Sequence, residues 1–184
     1  MTVEHVPQPV SMLLSGWHLL ERWIAVIAFS MIGVLIFADV AGRELVGPVG
    51  TLLGFDMGAT GVYGAAKISL ILLVVGAFAG LGVSVATGTQ IVPRVAFKWL
   101  PVSWGPSVDR LSNLIGGLVF VVVAWYGWIF VSASRDIGTV MPGLDTPIWT
   151  AQAVIPLGFL SAAIRYFIFT IWPASAPARE ELPE

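Results

Sequence analysis

Asp39 and Arg43 stand four residues apart, a spacing that puts both on one helical face and lets a carboxylate meet a guanidinium. Lys67 and Arg165 are the other charged residues singled out inside long apolar stretches. A charge in lipid costs several kcal/mol unless it is paired or hydrated, so such residues mark either transport chemistry or anchoring. For Asp39 and Arg43 the expectation is an ion pair at the membrane boundary, with partner docking as the alternative. Lys67 snorkels to the headgroups if its helix begins at Ala65, and lies two turns deep if the helix begins near Gly58. Arg165 precedes Trp172 by seven residues, about 10 Å along a helix, so its head reaches the interface or meets a carboxylate.

These groups are too few for most intramembrane chemistry. A proton relay needs several carboxylates or histidines at successive depths. Ser69, two residues from Lys67, does not make a nucleophile and base at matched depth. His5 and His18 both precede the first apolar run, which leaves haem b without ligands inside the spans. There is no cysteine, which excludes disulfides, thiolate zinc sites, iron–sulfur clusters and thiol nucleophiles. No phosphate-binding glycine loop, HExxH pair or GxSxG elbow occurs. The expectation is a chain with no catalytic residue, no cofactor and no metal.

The elements that carry these residues follow from hydropathy. Of 184 residues, 57% are hydrophobic and 11% charged, with a mean hydropathy of +0.90. So few charges cannot cover the surface of a water-soluble domain, and the solvent is lipid. The net charge of -2 shows no basic excess for binding nucleic acid. Four stretches reach the roughly 20 apolar residues a membrane helix requires, at about 23–43, 60–87, 111–133 and 148–172. Continuous apolar runs indicate helices, since barrel strands would alternate. The fold class is all-α, a single membrane domain of four helices over residues 1–184. A cleaved signal peptide is not expected, because the first run lacks a basic leader and a small-residue cleavage pattern.

Segment 11–22 places Met12, Leu13, Trp17 and Leu20 at helical spacing against Ser15, His18 and Glu21, as expected of a short interfacial helix before the first span, with a flexible tail as the alternative. Residues 90–110 mix basic, aromatic and proline residues and are expected to lie on the membrane surface. Residues 173–184 read as a disordered tail. Arg22, Arg94, Lys98, Arg110 and Arg179 fall on one side, against Arg43 and Arg135 on the other. This excess places both termini in the cytoplasm.

Packing is also written in the sequence. Gly76, Gly80, Ser84 and Gly88 recur every four residues, a row of small side chains where another helix, of this chain or of a partner, can approach closely. Gly116 and Gly117 offer a similar opening. Pro156 is expected to bend the fourth span.

In this order the features resemble the small permease subunit of tripartite ATP-independent periplasmic (TRAP) transporters. The first span leads into Arg43. Gly80 is followed by Gly88-Thr89-Gln90-Ile91, similar to a family stretch in which His occupies the place of Gln90. Trp125-Tyr126-Gly127 and Ile155-Pro156-Leu157-Gly158-Phe159, with Arg165 six residues on, are similar to its late motifs. Two departures stand out. Ala66 and Lys67 occupy places where the family usually has acidic residues, and Gln90-Ile91-Val92-Pro93-Arg94 replaces a usual His-Ile-x-Val-Asp.

The resemblance implies a multi-pass protein of the bacterial inner membrane that pairs with a larger membrane subunit. It further implies sodium-driven uptake of an organic anion, often a carboxylate, delivered by a periplasmic binding protein. Asp39, Arg43, Lys67, Gly76, Gly80, Ser84, Gly88, Pro156 and Arg165 are then candidates for anchoring or for packing on the partner. The rival expectation is a four-helix membrane enzyme or redox subunit acting on lipid or quinone. In that reading Asp39, Arg43, Lys67 and Arg135 converge at one end. A self-contained small transporter is disfavoured by the lack of an inverted repeat.

Overall fold

The structure is a computed structural model that describes residues 6–55, 58–89 and 104–177. Among these residues four helices are long and apolar enough to cross a membrane. No β-strand occurs among the described residues, and one isolated bridge joins Val140 and Pro147.

Helix α1 runs Gln8–Ala41, about 51 Å. Pro9 sits in its first turn, where a missing N–H leaves no bond unmade. Segment 11–22 is helical as expected, but it continues into the span without a break, so no separate interfacial helix forms. After Ala41 comes one π-helical turn, Gly42–Val46, followed by α2, Gly47–Leu52. The side of α1 turned toward the protein carries Glu21 and Ala28 and reaches Gly42. In the wide turn the Gly47 amide donates to the Gly42 carbonyl, five residues back. That extra residue brings Gly47, as well as Gly42, to face Thr60, which a regular helix would have rotated out of line.

The chain then returns through residues 53–64. Helix α3 spans Ala65–Thr87 and α4 spans Gly105–Ile137. Both end on glycines in the left-handed region, Gly88 and Gly138, the conformation that closes helices most cheaply in glycine. Helix α5, Ile148–Gln152, gives way at Ala153 to α6, Val154–Ile171. Pro156 stands in the first turn of α6, where its absent N–H would have had no partner. The break between α5 and α6 falls at Ala153, three residues before the proline. A 3-10 turn, Pro173–Ser175, follows.

The helices pack in the order α1, α3, α6, α4. Small residues set the contacts. Ala162 and Ala163 on α6 are fully buried. Tyr166 lies against Gly116, Phe167 against Gly117, and Pro156 against Gly127. A Cβ on Gly158 would sit 2.8 Å from the Phe78 Cβ, so only glycine lets α6 and α3 meet there. Phe159 then stacks with Phe120 and meets Phe78 edge-on, with ring centroids 5.9 and 5.2 Å apart. The outward faces of α1 and α4 are large, exposed and apolar, as expected where lipid or another membrane protein is the solvent.

The surface loop expected at 90–110 falls mostly on residues outside those described, and from Gly105 it is already helix α4. Of the expected tail, residues 178–184 lie outside the described residues. Pro173–Ser175 are ordered into the 3-10 turn, and Pro177 lies against Gly88.

Candidate functional site

Two polar clusters sit at opposite ends of the spans. The first is built from two i, i+4 pairs that face each other, Trp17 and Glu21 on α1 and Ser161 and Arg165 on α6. Arg165 donates from Nη2 to Glu21 Oε2 at 2.5 Å. Ser161 Oγ and Trp17 Nε1 donate to Glu21 Oε1 at 2.6 and 2.9 Å. The Arg165 guanidinium also lies 5.3 Å from the Trp17 ring centroid, within reach of a cation–π attraction. The Arg165 side chain is 1% exposed and that of Glu21 10%.

A third helix makes the pairing possible. A Cβ at Gly82 of α3 would overlap the Glu21 carboxylate, so glycine is what lets the acid pass α3 and reach α6. Removing either charge would strand the other in a medium that cannot solvate it, at a cost of about 3–5 kcal/mol. Arg165 thus meets a partner carboxylate within its own chain and does not reach out to the interface. Sequence reading missed Glu21, which looked like the polar face of a surface helix. The available signal was Arg165 itself, whose charge demanded an acid at matching depth.

The second cluster lies eighteen residues along α1. Asp39 Oδ2 accepts from Arg43 Nη2 at 2.5 Å, and Oδ1 accepts from the Val62 amide at 3.0 Å. The returning loop is held against the π turn at very short range. A Cβ on Gly42 would overlap the Thr60 carbonyl, and one on Gly61 would come 2.6 Å from Asp39 Oδ1. Lys67, in the first turn of α3, donates to the Pro142 carbonyl. Nearby, the Tyr63 hydroxyl abuts Gly143, whose φ of 83° suits the turn there. Arg135 lies over the Trp149 ring at 5.5 Å.

The four charged residues that could have converged on one headgroup are therefore engaged separately. Asp39 and Arg43 hold the 58–62 loop, Lys67 holds the α4–α5 loop, and Arg135 packs on Trp149. The row of small residues is likewise divided. Gly76 receives Phe29 and Ala28 of α1, and Gly80 faces open space. Ser84 accepts from the Thr89 hydroxyl at 3.2 Å, and Gly88 ends α3. Gln90 to Arg94 lie outside the described residues. Among the described residues no group of three or more His, Cys, Asp or Glu side chains is placed to hold a metal ion.

The family model described as "Tripartite ATP-independent periplasmic transporters, DctQ component" matches residues 32–173. The ectoine TRAP transporter small permease protein TeaB of Halomonas elongata is 28% identical over 140 residues, covering 76% of this chain and 69% of that protein. The matched region holds the Asp39 cluster, all of α3, α4 and α5, and α6 with Arg165. Both matches are transporter components, not enzymes. The chain belongs to the DctQ family, the small permease components of TRAP transporters.

Proposed function

We propose that this subunit braces a large membrane subunit that itself carries the solute and the coupling sodium ions, in the inner membrane of a bacterium. A periplasmic binding protein delivers the solute, an organic anion bearing a carboxylate. The termini lie in the cytoplasm, which puts the Glu21 cluster on the cytoplasmic side and the Asp39 cluster on the periplasmic side. The observation that carries this reading is that the Glu21 carboxylate is engaged inside the bundle. It accepts from the Arg165 guanidinium, the Ser161 hydroxyl and the Trp17 indole N–H, which supports a packing role for the acid in place of one in holding a solute or an ion.

Reconstitution tests it. Proteoliposomes holding this chain alone should show no sodium-driven uptake of the solute presented by the cognate binding protein. Adding the large subunit should establish it. Uptake by the small subunit alone would refute the reading.

A further inference from the structure

The tryptophans of the described residues divide by depth. Glu21 and Asp39 are eighteen residues apart on α1, about 27 Å, close to the roughly 30 Å thickness of a hydrocarbon core. Trp17 is bonded to Glu21 and Trp23 lies two residues from it. Trp104 precedes α4 and Trp172 follows α6 at that same end. Trp149 stands with Arg135 at the Asp39 end. These are the levels at which an indole, an apolar body with one N–H, belongs.

Trp125 and Trp128 break the pattern. Their neighbour Gly127 packs on Pro156, which is nine residues from Arg165, about 13.5 Å along α6. Arg165 meets Glu21, so Gly127 stands half-way between the two polar levels. The backbones of Trp125 and Trp128 therefore lie about 10 Å or more from either level. The two side chains are nonetheless exposed, with 65% and 57% of each residue uncovered, and among the described residues neither indole N–H has an acceptor. Acyl chains provide none, and an N–H left unbonded in hydrocarbon costs free energy. Leu118 and Val121 continue the same face, at three- and four-residue spacing, and are exposed too.

We infer that this stripe of α4 docks a transmembrane helix of the large membrane subunit that presents hydrogen-bond acceptors, side-chain hydroxyls or amides, to Trp125 and Trp128 near mid-membrane. The inference rests on the bracing function proposed above and names the face and the chemistry of the contact. A second copy of this chain would set indole against indole, and an indole donates without accepting. Tyr126, whose hydroxyl can accept, is turned about 100° round the helix from Trp125. Ser132 lies about one turn beyond Trp128, on the side from which helical side chains lean away.

The chain is to be co-expressed with its large subunit, carrying benzoylphenylalanine in place of Leu118 or Val121, which leaves both tryptophans intact. Irradiation in membranes should give adducts with the large subunit from both positions. Trp125→Phe combined with Trp128→Phe keeps most of the aromatic bulk and removes both donors. It should weaken association with the large subunit in detergent by about fivefold or more, while the variant subunit alone stays monodisperse. Adducts only with a second copy or with lipid would overturn the inference, as would unchanged association in the double variant. If the wild-type chain binds no large subunit at all, the bracing function fails first. A wild-type complex that lacks these adducts, or that tolerates loss of both donors, refutes only this docking surface.

Discussion

The Glu21 carboxylate of α1 and the Arg165 guanidinium of α6 meet at 2.5 Å across a gap that Gly82 of α3 holds open. Three helices thus depend on one buried ion pair. Glu21→Ala or Arg165→Ala should each destabilise the protein by about 3–5 kcal/mol, because each leaves an uncompensated charge. Replacing both residues by methionine should recover most of that loss, since an apolar pair of similar volume removes the desolvation cost along with the attraction. Thermal unfolding in detergent, followed by tryptophan fluorescence, compares the three variants.

Gly82 and Gly80 lie two residues apart on α3 and should respond in opposite ways. Gly82→Ala places a methyl on the Glu21 carboxylate and should cost about 1–3 kcal/mol through forced displacement of the acid. Gly80→Ala meets nothing within 4 Å among the described residues, so its effect on the isolated subunit should stay within about 0.5 kcal/mol. The same thermal measurement decides both.

Asp39 ties the 58–62 loop to the π turn through the Val62 amide. In Asp39→Ala that amide loses its acceptor, and its hydrogen exchange should accelerate. Global stability should fall by only about 1 kcal/mol, because Arg43 is largely exposed and the pair is weak. Exchange mass spectrometry that finds Val62 equally protected in the variant would contradict this role for Asp39.

Gly158 marks a close approach of α6 to α3. Gly158→Leu should unseat Phe78 and Phe159 together and cost about 3 kcal/mol or more, beyond ordinary overpacking, because the obstructing atom is the Phe78 Cβ close to the backbone. Loss of monodisperse protein on size-exclusion chromatography reports the effect.

The four spans were legible because lipid as solvent leaves a plain signature, long apolar runs between charged ends. The Asp39–Arg43 pair was legible because its spacing is local to one helix. Glu21 was not. Its partner lies 144 residues away, and sequence periodicity assigns a side chain to a face without saying which helix covers it. The long α1 was misread as two pieces for a related reason. Ser15, His18 and Glu21 look like a water-facing stripe until α6 supplies Glu21 with polar partners inside. The π turn ends just before Pro48, but which loop would pack on it, Thr60 against Gly42 and Gly47, is not written in the local sequence. Gly127 and Pro156 were noted as separate motif residues, and the fold shows that they touch each other.

The central claim is that charges inside this bundle brace it and do not carry solute. Glu21→Met with Arg165→Met removes the buried pair while keeping the packing. Assembled with the large subunit and supplied with the loaded binding protein, this double variant should retain sodium-driven uptake per assembled complex. Loss of uptake in a complex that assembles and unfolds like the wild type would place these charges in the transport path and contradict the account.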